Sequence, residues 1–193
     1  MKKAKQPKEK FNTKSKVSEE NKILCNRLFT REAVKNIGTA LILDAESLVT
    51  TTFLKRRGFR KIIVPNPYVF DEIKGDKRIH AKNMLVGKYI SVSSDRLTAV
   101  WLDYCCTFDG SEAEGIKPQE DIQLLFERKL LKKNSTLAVT FSSRKHVRVD
   151  YKGQDEDRVR KCIENEARIN GYNAVFERTH KYQGIYFLLY HIY

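Results

Sequence analysis

Two short apolar runs separated by a helical stretch restrict this fold more than anything else in the sequence. Ala40-Leu-Ile-Leu-Asp44 and Lys61-Ile-Ile-Val64 have the length and composition of buried strands. Between them Leu48, Phe53 and Leu54 recur at helical spacing, and Gly58 ends the pattern. Strand, helix and strand in that succession form a βαβ unit with a right-handed crossover. Its parallel strands need cover on both faces, so the unit predicts a layered α/β domain.

The rest of the chain extends the alternation. A helix is expected from Ser18 to about Lys35, and Tyr68 to Leu85 reads as a helix or an irregular segment. Tyr89-Ile-Ser-Val92 and Thr98 to Asp103 read as strands, followed by a helix over Gln119 to Leu131 and a strand over Ser135 to Phe141. Glu156 to Asn170 is helical in pattern. Tyr172 to Arg178 and Gly184 to Tyr193 read as a hairpin closed by Thr179 to Gln183. The predicted fold class is therefore α/β, a Rossmann-like mostly parallel sheet with helices on both faces and a C-terminal antiparallel β-hairpin, in one domain over residues 23–193. One spacing conflicts with a regular plan. Only Ser93 to Leu97 separate the strand assigned to Tyr89–Val92 from the next one, and a parallel crossover needs about a dozen residues. This predicts that one helix is missing and leaves Asp95 in doubt as a ligand contact.

Charge narrows the partners. The chain has a formal net charge of +13, and Met1 to Lys22 hold eight Lys and three Glu, so the remainder is also basic. Such an excess gathers polyanions, with nucleic acid the first to consider. Residues 1–22 are too polar to offset their ordering entropy and are expected to form a disordered basic tail, either an arm for nucleic acid or a solvated leader. No apolar run approaches the roughly 18 to 20 residues of a membrane span, and no secretory signal is recognisable. Four cysteines, two of them adjacent, suit neither a disulfide framework nor a zinc site. His80, His146, His180 and His191 share no metal-ligand spacing. An intracellular protein of the cytoplasm or nucleus, with no membrane partner and no metal, is the expectation.

In open α/β sheets ligands bind beyond the carboxyl ends of strands, which directs attention to three turns. They are Asp44-Ala-Glu-Ser-Leu-Val-Thr-Thr-Thr52, Pro65-Asn66-Pro67 and Asp103-Tyr-Cys-Cys-Thr-Phe-Asp109. No Gly-x-Gly occurs in the chain, so neither a dinucleotide fingerprint nor a phosphate-cradling loop is available. S-adenosylmethionine, which has no pyrophosphate, needs neither. Asp44 and Glu46 could bind its ammonium, Ser47, Thr50 and Thr51 could supply hydroxyls, and a helix N-terminus could face its carboxylate. The same residues are also ordinary helix caps.

The order of LILDAESLVTTTFLKRRGF, KIIVPNP, VWLDYCCTFDG, helix, STLAVTFSSR, helix and hairpin, over Leu41 to Tyr193, resembles a class I S-adenosylmethionine-dependent methyltransferase. DAESLVT stands where that family has a glycine-rich loop, and Asn66 where it has a ribose-binding acid. The resemblance implies a cofactor cleft built from Asp44, Ala45, Glu46, Ser47, Thr50 and Thr51, with Pro65 and Asn66 on the adenosine side. It also implies a substrate-facing motif at Asp103 to Phe108, similar to the Asp-Pro-Pro-Tyr motif of amino-group methyltransferases though without its prolines. Asp103 would orient the acceptor nitrogen, and Tyr104 or Phe108 would stack on its base. Thiolate attack by Cys105 or Cys106 is an alternative, as is inert burial. Arg56 and Arg57, with Arg144, Lys145 and Arg148, are candidates for a polyanion groove, the first pair being equally suited to a helix C-terminus. Methyl transfer to an RNA or DNA base is the function implied; the alternative is a non-catalytic nucleic-acid-binding or accessory subunit of another protein.

Overall fold

The computed structural model describes residues 16–104, 106–143 and 154–193. Among the described residues seven strands form a single sheet in the order β3-β2-β1-β4-β5-β7-β6. They are β1 (Thr39–Ile42), β2 (Lys61–Pro65), β3 (His80–Lys82), β4 (Leu97–Asp103), β5 (Leu131–Ser142), β6 (Ala174–Tyr182) and β7 (Ile185–Ile192). The first five run parallel, whereas β7 lies antiparallel between β5 and β6. The helices are α1 (Lys16–Ala33), α2 (Val49–Arg56), α3 (Phe70–Ile73), α4 (Val86–Val92), α5 (Pro118–Glu127) and α6 (Gln154–Ile169).

Alternation along the strands sorts the core into two layers. Leu41, Val100, Leu102, Val139 and Leu188 face α4, α5 and α6, where Ile90, Ile122, Phe126 and Ile163 meet them. Ala40, Ile42, Trp101, Ala138 and Phe187 face the other way, toward Phe29 of α1 and Leu54 of α2. A strand covered on both sides has no polar alternation, which is why β4 reads as an unbroken apolar run. Each large apolar side chain buried this way contributes roughly 1.5–3 kcal/mol. Trp101 sits between Phe29 and Phe187, its ring centroid 5.2 and 5.3 Å from theirs.

Helix α1 crosses the second layer antiparallel to the parallel strands. Near its start Asn21 Oδ1 lies 2.7 Å from Nε2 of His180, toward the end of β6. Near its end the buried Glu32 meets Nε2 of His191 at 2.9 Å, toward the end of β7 and hence at the opposite rim. Arg31 and Lys35 complete the ion cluster around Glu32. The helix spans Lys16–Ala33, so the helix expected from Ser18 takes in residues also counted with the basic tail.

The crossover that looked too short is resolved by a correction. Tyr89–Val92 is not a strand but the second half of α4, and the third strand is the three-residue His80–Lys82, paired in parallel with Ile63–Pro65. Among the described residues α4 supplies the helix before β4 that the spacing had seemed to leave out. Tyr, Ile and Val carry high strand propensity, but Val86, Tyr89 and Ile90 are spaced three and four apart and all are buried against the sheet, so packing overrides propensity. Gly87 allows α4 to approach α5, because a Cβ there would lie 2.0 Å from Oδ1 of Asp121. Asp95 follows α4 at the amino-terminal rim, where its carboxylate binds Lys61 and Tyr89, so it contacts no ligand at the carboxyl rim. The hairpin also differs: β6 runs on to Tyr182, and the turn is Gln183–Gly184, with φ of 46° and 75°. Positive φ at both positions suits a two-residue turn matching the strand twist.

Candidate active site at the β1–β4 switch point

Strand order reverses between β1 and β4, since β2 and β3 continue to one side and β5 to the other. Such a point leaves a crevice at the carboxyl ends, because the connections depart in opposite directions. The residues closing β1 and β4 are therefore neighbours. Ile42 pairs with Trp101, and the Leu43 amide donates to the Trp101 carbonyl at 3.1 Å. Two residues past that pair on each strand stand Asp44 and Asp103, close enough for the charge of Asp44 to be felt at Asp103.

Asp44 is 6% exposed, and its carboxylate accepts the amides of Thr51 at 2.8 Å and Ala45 at 3.2 Å. It thus caps α2 from outside the helix, a role the sequence allowed, and the α2 N-terminus expected to face a cofactor carboxylate is already engaged. Burial pushes the Asp44 carboxyl above the usual carboxylate range, against these amide bonds. The turn is completed by Leu48, whose φ of 48° and ψ of 43° are left-handed and whose amide donates to Ala45. A glycine would adopt this conformation without strain. Leu48 holds it because its side chain is buried among Ile42, Leu54 and the α1 residues Cys25 and Phe29. Ala45, Glu46 and Ser47 are exposed on the outer side of the turn, whereas Thr50 and Thr51 are buried.

The second turn is tied to the first. Asn66 Nδ2 donates to the Asp44 carbonyl at 3.1 Å, and its own amide donates to Lys82 at 3.1 Å. Asn66 Oδ1 accepts the amide of Tyr68, a 56% exposed ring on this rim. Pro65 is buried inside β2 and offers no side-chain face.

Asp103 points to the α1 layer. Burial raises its carboxyl to about 6; Lys22 of α1 and a hydrogen bond from the Thr140 hydroxyl oppose that rise, and Asp44 adds to it. The neighbouring Cys25 thiol is pushed up to about 12 by burial and then by Asp103. Lys22, counted with the tail from composition, and Thr140, hidden in an apolar strand, are the two site residues sequence reasoning missed. The β4–β5 register, pairing Asp103 with Thr140, is the signal that could have found Thr140.

Several expected residues lie elsewhere. Tyr104 projects to the opposite layer, 4% exposed, and its hydroxyl donates to the buried Asp121 at 2.8 Å. Phe108 is 3% exposed, tilted against Phe141 with the Arg158 guanidinium 5.5 Å above it. Neither ring presents a stacking wall, which corrects that expectation; successive residues of a strand face opposite layers, so Asp103 and Tyr104 cannot line one pocket. Arg56 and Arg57 are exposed, but at the far end of α2, at the amino-terminal rim away from both acids. Arg144, Lys145 and Arg148 lie outside the described residues, as does Cys105. Among the described residues no group of His, Cys, Asp or Glu is arranged to hold a metal, and no helix is long and apolar enough to cross a membrane.

No family model matches the chain, and no curated protein sequence matches it. Solved structures do. The N-methyltransferase NodS from Bradyrhizobium japonicum, in complex with S-adenosyl-L-homocysteine, superposes with a TM-score of 0.60 at 10% identity, covering 92% of this chain and 88% of its own. This chain has the methyltransferase fold. The same fold relates it to Trm1 from Pyrococcus horikoshii with S-adenosyl-L-methionine, at a TM-score of 0.63 and 11% identity over 88% of this chain and 55% of that one. The fibrillarin pre-rRNA processing protein of Methanococcus jannaschii matches with a TM-score of 0.56 and 10% identity, over 82% of this chain and 68% of its own. In this chain the turn that follows β1 is built on Asp44 and a left-handed Leu48.

Proposed function

We propose that this chain is an S-adenosylmethionine-dependent methyltransferase whose acceptor is a nucleic-acid base. The observation that carries the reading is the adjacency of the Asp44 turn and Asp103 at the strand-order reversal. Asp44, Glu46 and Asp103 make this rim acidic, which suits a cofactor bearing a sulfonium and an ammonium. Glu46 and Ser47 on the exposed side of the turn, with Asn66 beside it, are the residues that would hold that cofactor. When bound, it supplies an electrophilic methyl group. Asp103 accepts a hydrogen bond from the acceptor's amino group and orients its lone pair; with its carboxyl near 6 it is ionised at neutral pH and can take the proton the nitrogen gives up.

Charge supports a nucleic-acid acceptor. The net charge is +13, Lys22 of α1 lies near Asp103, and Ser143 follows β5 at its carboxyl end on the same rim. The sequence before α1, residues 1–15, and that after Ser143, residues 144–153, are rich in Lys and Arg. Likeness to a pre-rRNA processing protein agrees with this choice. A second reading, a nucleic-acid-binding accessory subunit without catalysis, draws on Asp44 capping α2 and on the buried Tyr104 and Phe108. Incubation with cofactor labelled in its methyl group and pooled RNA, DNA or protein separates them. The enzyme labels nucleic acid and Asp103→Ala does not; label on protein alone or on none of the pools rejects the reading.

A further inference from the structure

The two ends of the parallel strands differ in charge. Residues 34–38, 57–60, 93–96 and 128–134, which lead into β1, β2, β4 and the continuously paired part of β5, hold eight Lys or Arg and one acid, Asp95. Residues 43–48, 66–69 and 104–117, which follow β1, β2 and β4, hold with Asp103 six acids and one Lys. Because these four strands run parallel, the eight cations share the amino-terminal rim. Two of them are engaged, Lys35 by Glu32 and Arg128 by the Ser93 carbonyl. Arg57, Arg60, Arg96, Lys129, Lys132 and Lys133 are exposed and make no ion pair among the described residues, and Asp95 is already bound by Lys61.

The backbone gathers these side chains. The β4–β5 register jumps from Leu97 opposite Leu131 to Ala99 opposite Thr136, so residues 132–134 bulge away from β4. Asn36 Nδ2 donates to the carbonyls of Lys133 and Asn134 at 3.2 Å each, which holds the bulge beside the entry to β1. Lys61 and Asp95, 2.5 Å apart, tie the entry of β2 to that of β4 across β1. Lys129 stands at a φ of 51°, a conformation that glycine takes without strain. Complementing helix dipoles accounts for Arg57 and Lys129, which follow α2 and α5, but not for Arg60, Arg96, Lys132 and Lys133, which precede or begin strands.

We infer that the amino-terminal rim is a second docking surface, one for the phosphate backbone of nucleic acid, on the side of the sheet opposite Asp44 and Asp103. This rests on the partner proposed above being nucleic acid, and not on methyl transfer. Free cations spread over four adjacent strands, three spacings or about 14 Å, match a row of phosphates better than a single small anion. The substrate class narrows in consequence. The seven residues of β4 separate the rims by about 23 Å, so an acceptor held at one and reacting at the other is a polynucleotide of at least about seven base steps.

The test is fluorescence anisotropy on the whole protein without cofactor, using labelled RNA and DNA duplexes of about 20 base pairs at about 0.05 to 0.2 M salt. Arg57→Gln, Arg60→Gln and Lys133→Gln combined weaken binding at least about tenfold and make the slope of log affinity against log salt shallower by about three. These side chains are exposed and without ion pairs, so the fold survives their loss, which thermal unfolding checks. Lys77→Gln, Lys88→Gln and Lys161→Gln combined remove the same charge from exposed positions on other elements and leave affinity within about twofold. An equal loss in both triple variants traces binding to net charge alone and overturns the inference. So does an unchanged affinity in the rim variant, or binding to phosphatidylserine vesicles with none to either duplex. Failure of the methyltransferase reading looks different: the duplexes bind at the rim and receive no labelled methyl group.

Discussion

Asp44 and Asp103 leave adjacent parallel strands at one rim, each two residues beyond the Ile42–Trp101 pair, with one carboxylate spent on capping α2 and the other held between Thr140 and Lys22. Two acids this close in a partly dry site each resist ionising. The cost of that arrangement is measurable as stability.

Asp103 has its carboxyl raised from 3.8 to about 6, so the folded protein binds the proton more tightly than the unfolded chain. The stability linked to this group is full below pH 3.8 and is lost as pH rises through 6. Asp103→Asn is therefore expected to equal the wild type near pH 4 and to exceed it at pH 7.5 by up to about 3 kcal/mol, while methyl transfer falls at least about 100-fold. Urea unfolding at the two pH values checks the first half.

Glu32 behaves oppositely. Burial alone would raise its carboxyl, but hydrogen bonds from Lys35, His191 and Arg31 hold it down at about 2 from 4.5. Its stabilisation is present above about pH 4.5 and lost as pH falls toward 2. Glu32→Gln should cost up to about 3 kcal/mol at pH 7 and almost nothing at pH 2, measured by the same unfolding titration.

Leu48 offers a test of the glycine-poor turn. Alanine normally costs less backbone entropy than glycine, but at a φ of 48° the Cβ is penalised by about 1–2 kcal/mol. Both substitutions lose the buried side chain, so Leu48→Gly is expected to be more stable than Leu48→Ala by about 1 kcal/mol. The usual order in thermal unfolding would contradict the left-handed turn.

Gly87→Ala gains about 1 kcal/mol in helix propensity and still should destabilise, because its Cβ meets Asp121, which Tyr104 holds in place. A cycle with Asp121→Ala should show coupling of at least about 1 kcal/mol. Additive effects would mean that α4 and α5 are not in that contact.

Much of this architecture was legible because strands buried on both faces announce themselves as apolar runs: β1, β2, β4 and β5 were read within a few residues. β3 was not, since His-Ala-Lys carries no apolar signal and pairs only at an edge. α4 was misread for the converse reason, strand-forming residues placed at helical spacing. Asp44 and Asp103 could be placed just past β1 and at the end of β4 because the ends of such strands can be located from sequence. The partners of Asp103 were not, because which side chains share a face depends on register, and the misplaced Arg56 and Arg57 show that a charge cluster says nothing of which rim it occupies.

Isothermal calorimetry with S-adenosylmethionine at pH 5 and pH 8 tests the central claim most directly. Wild-type protein should bind at both, about tenfold more tightly at pH 8 where Asp103 is charged, and Asp103→Asn should lose that pH dependence. Absence of binding at millimolar cofactor at either pH, by a protein shown to be folded, would contradict the account.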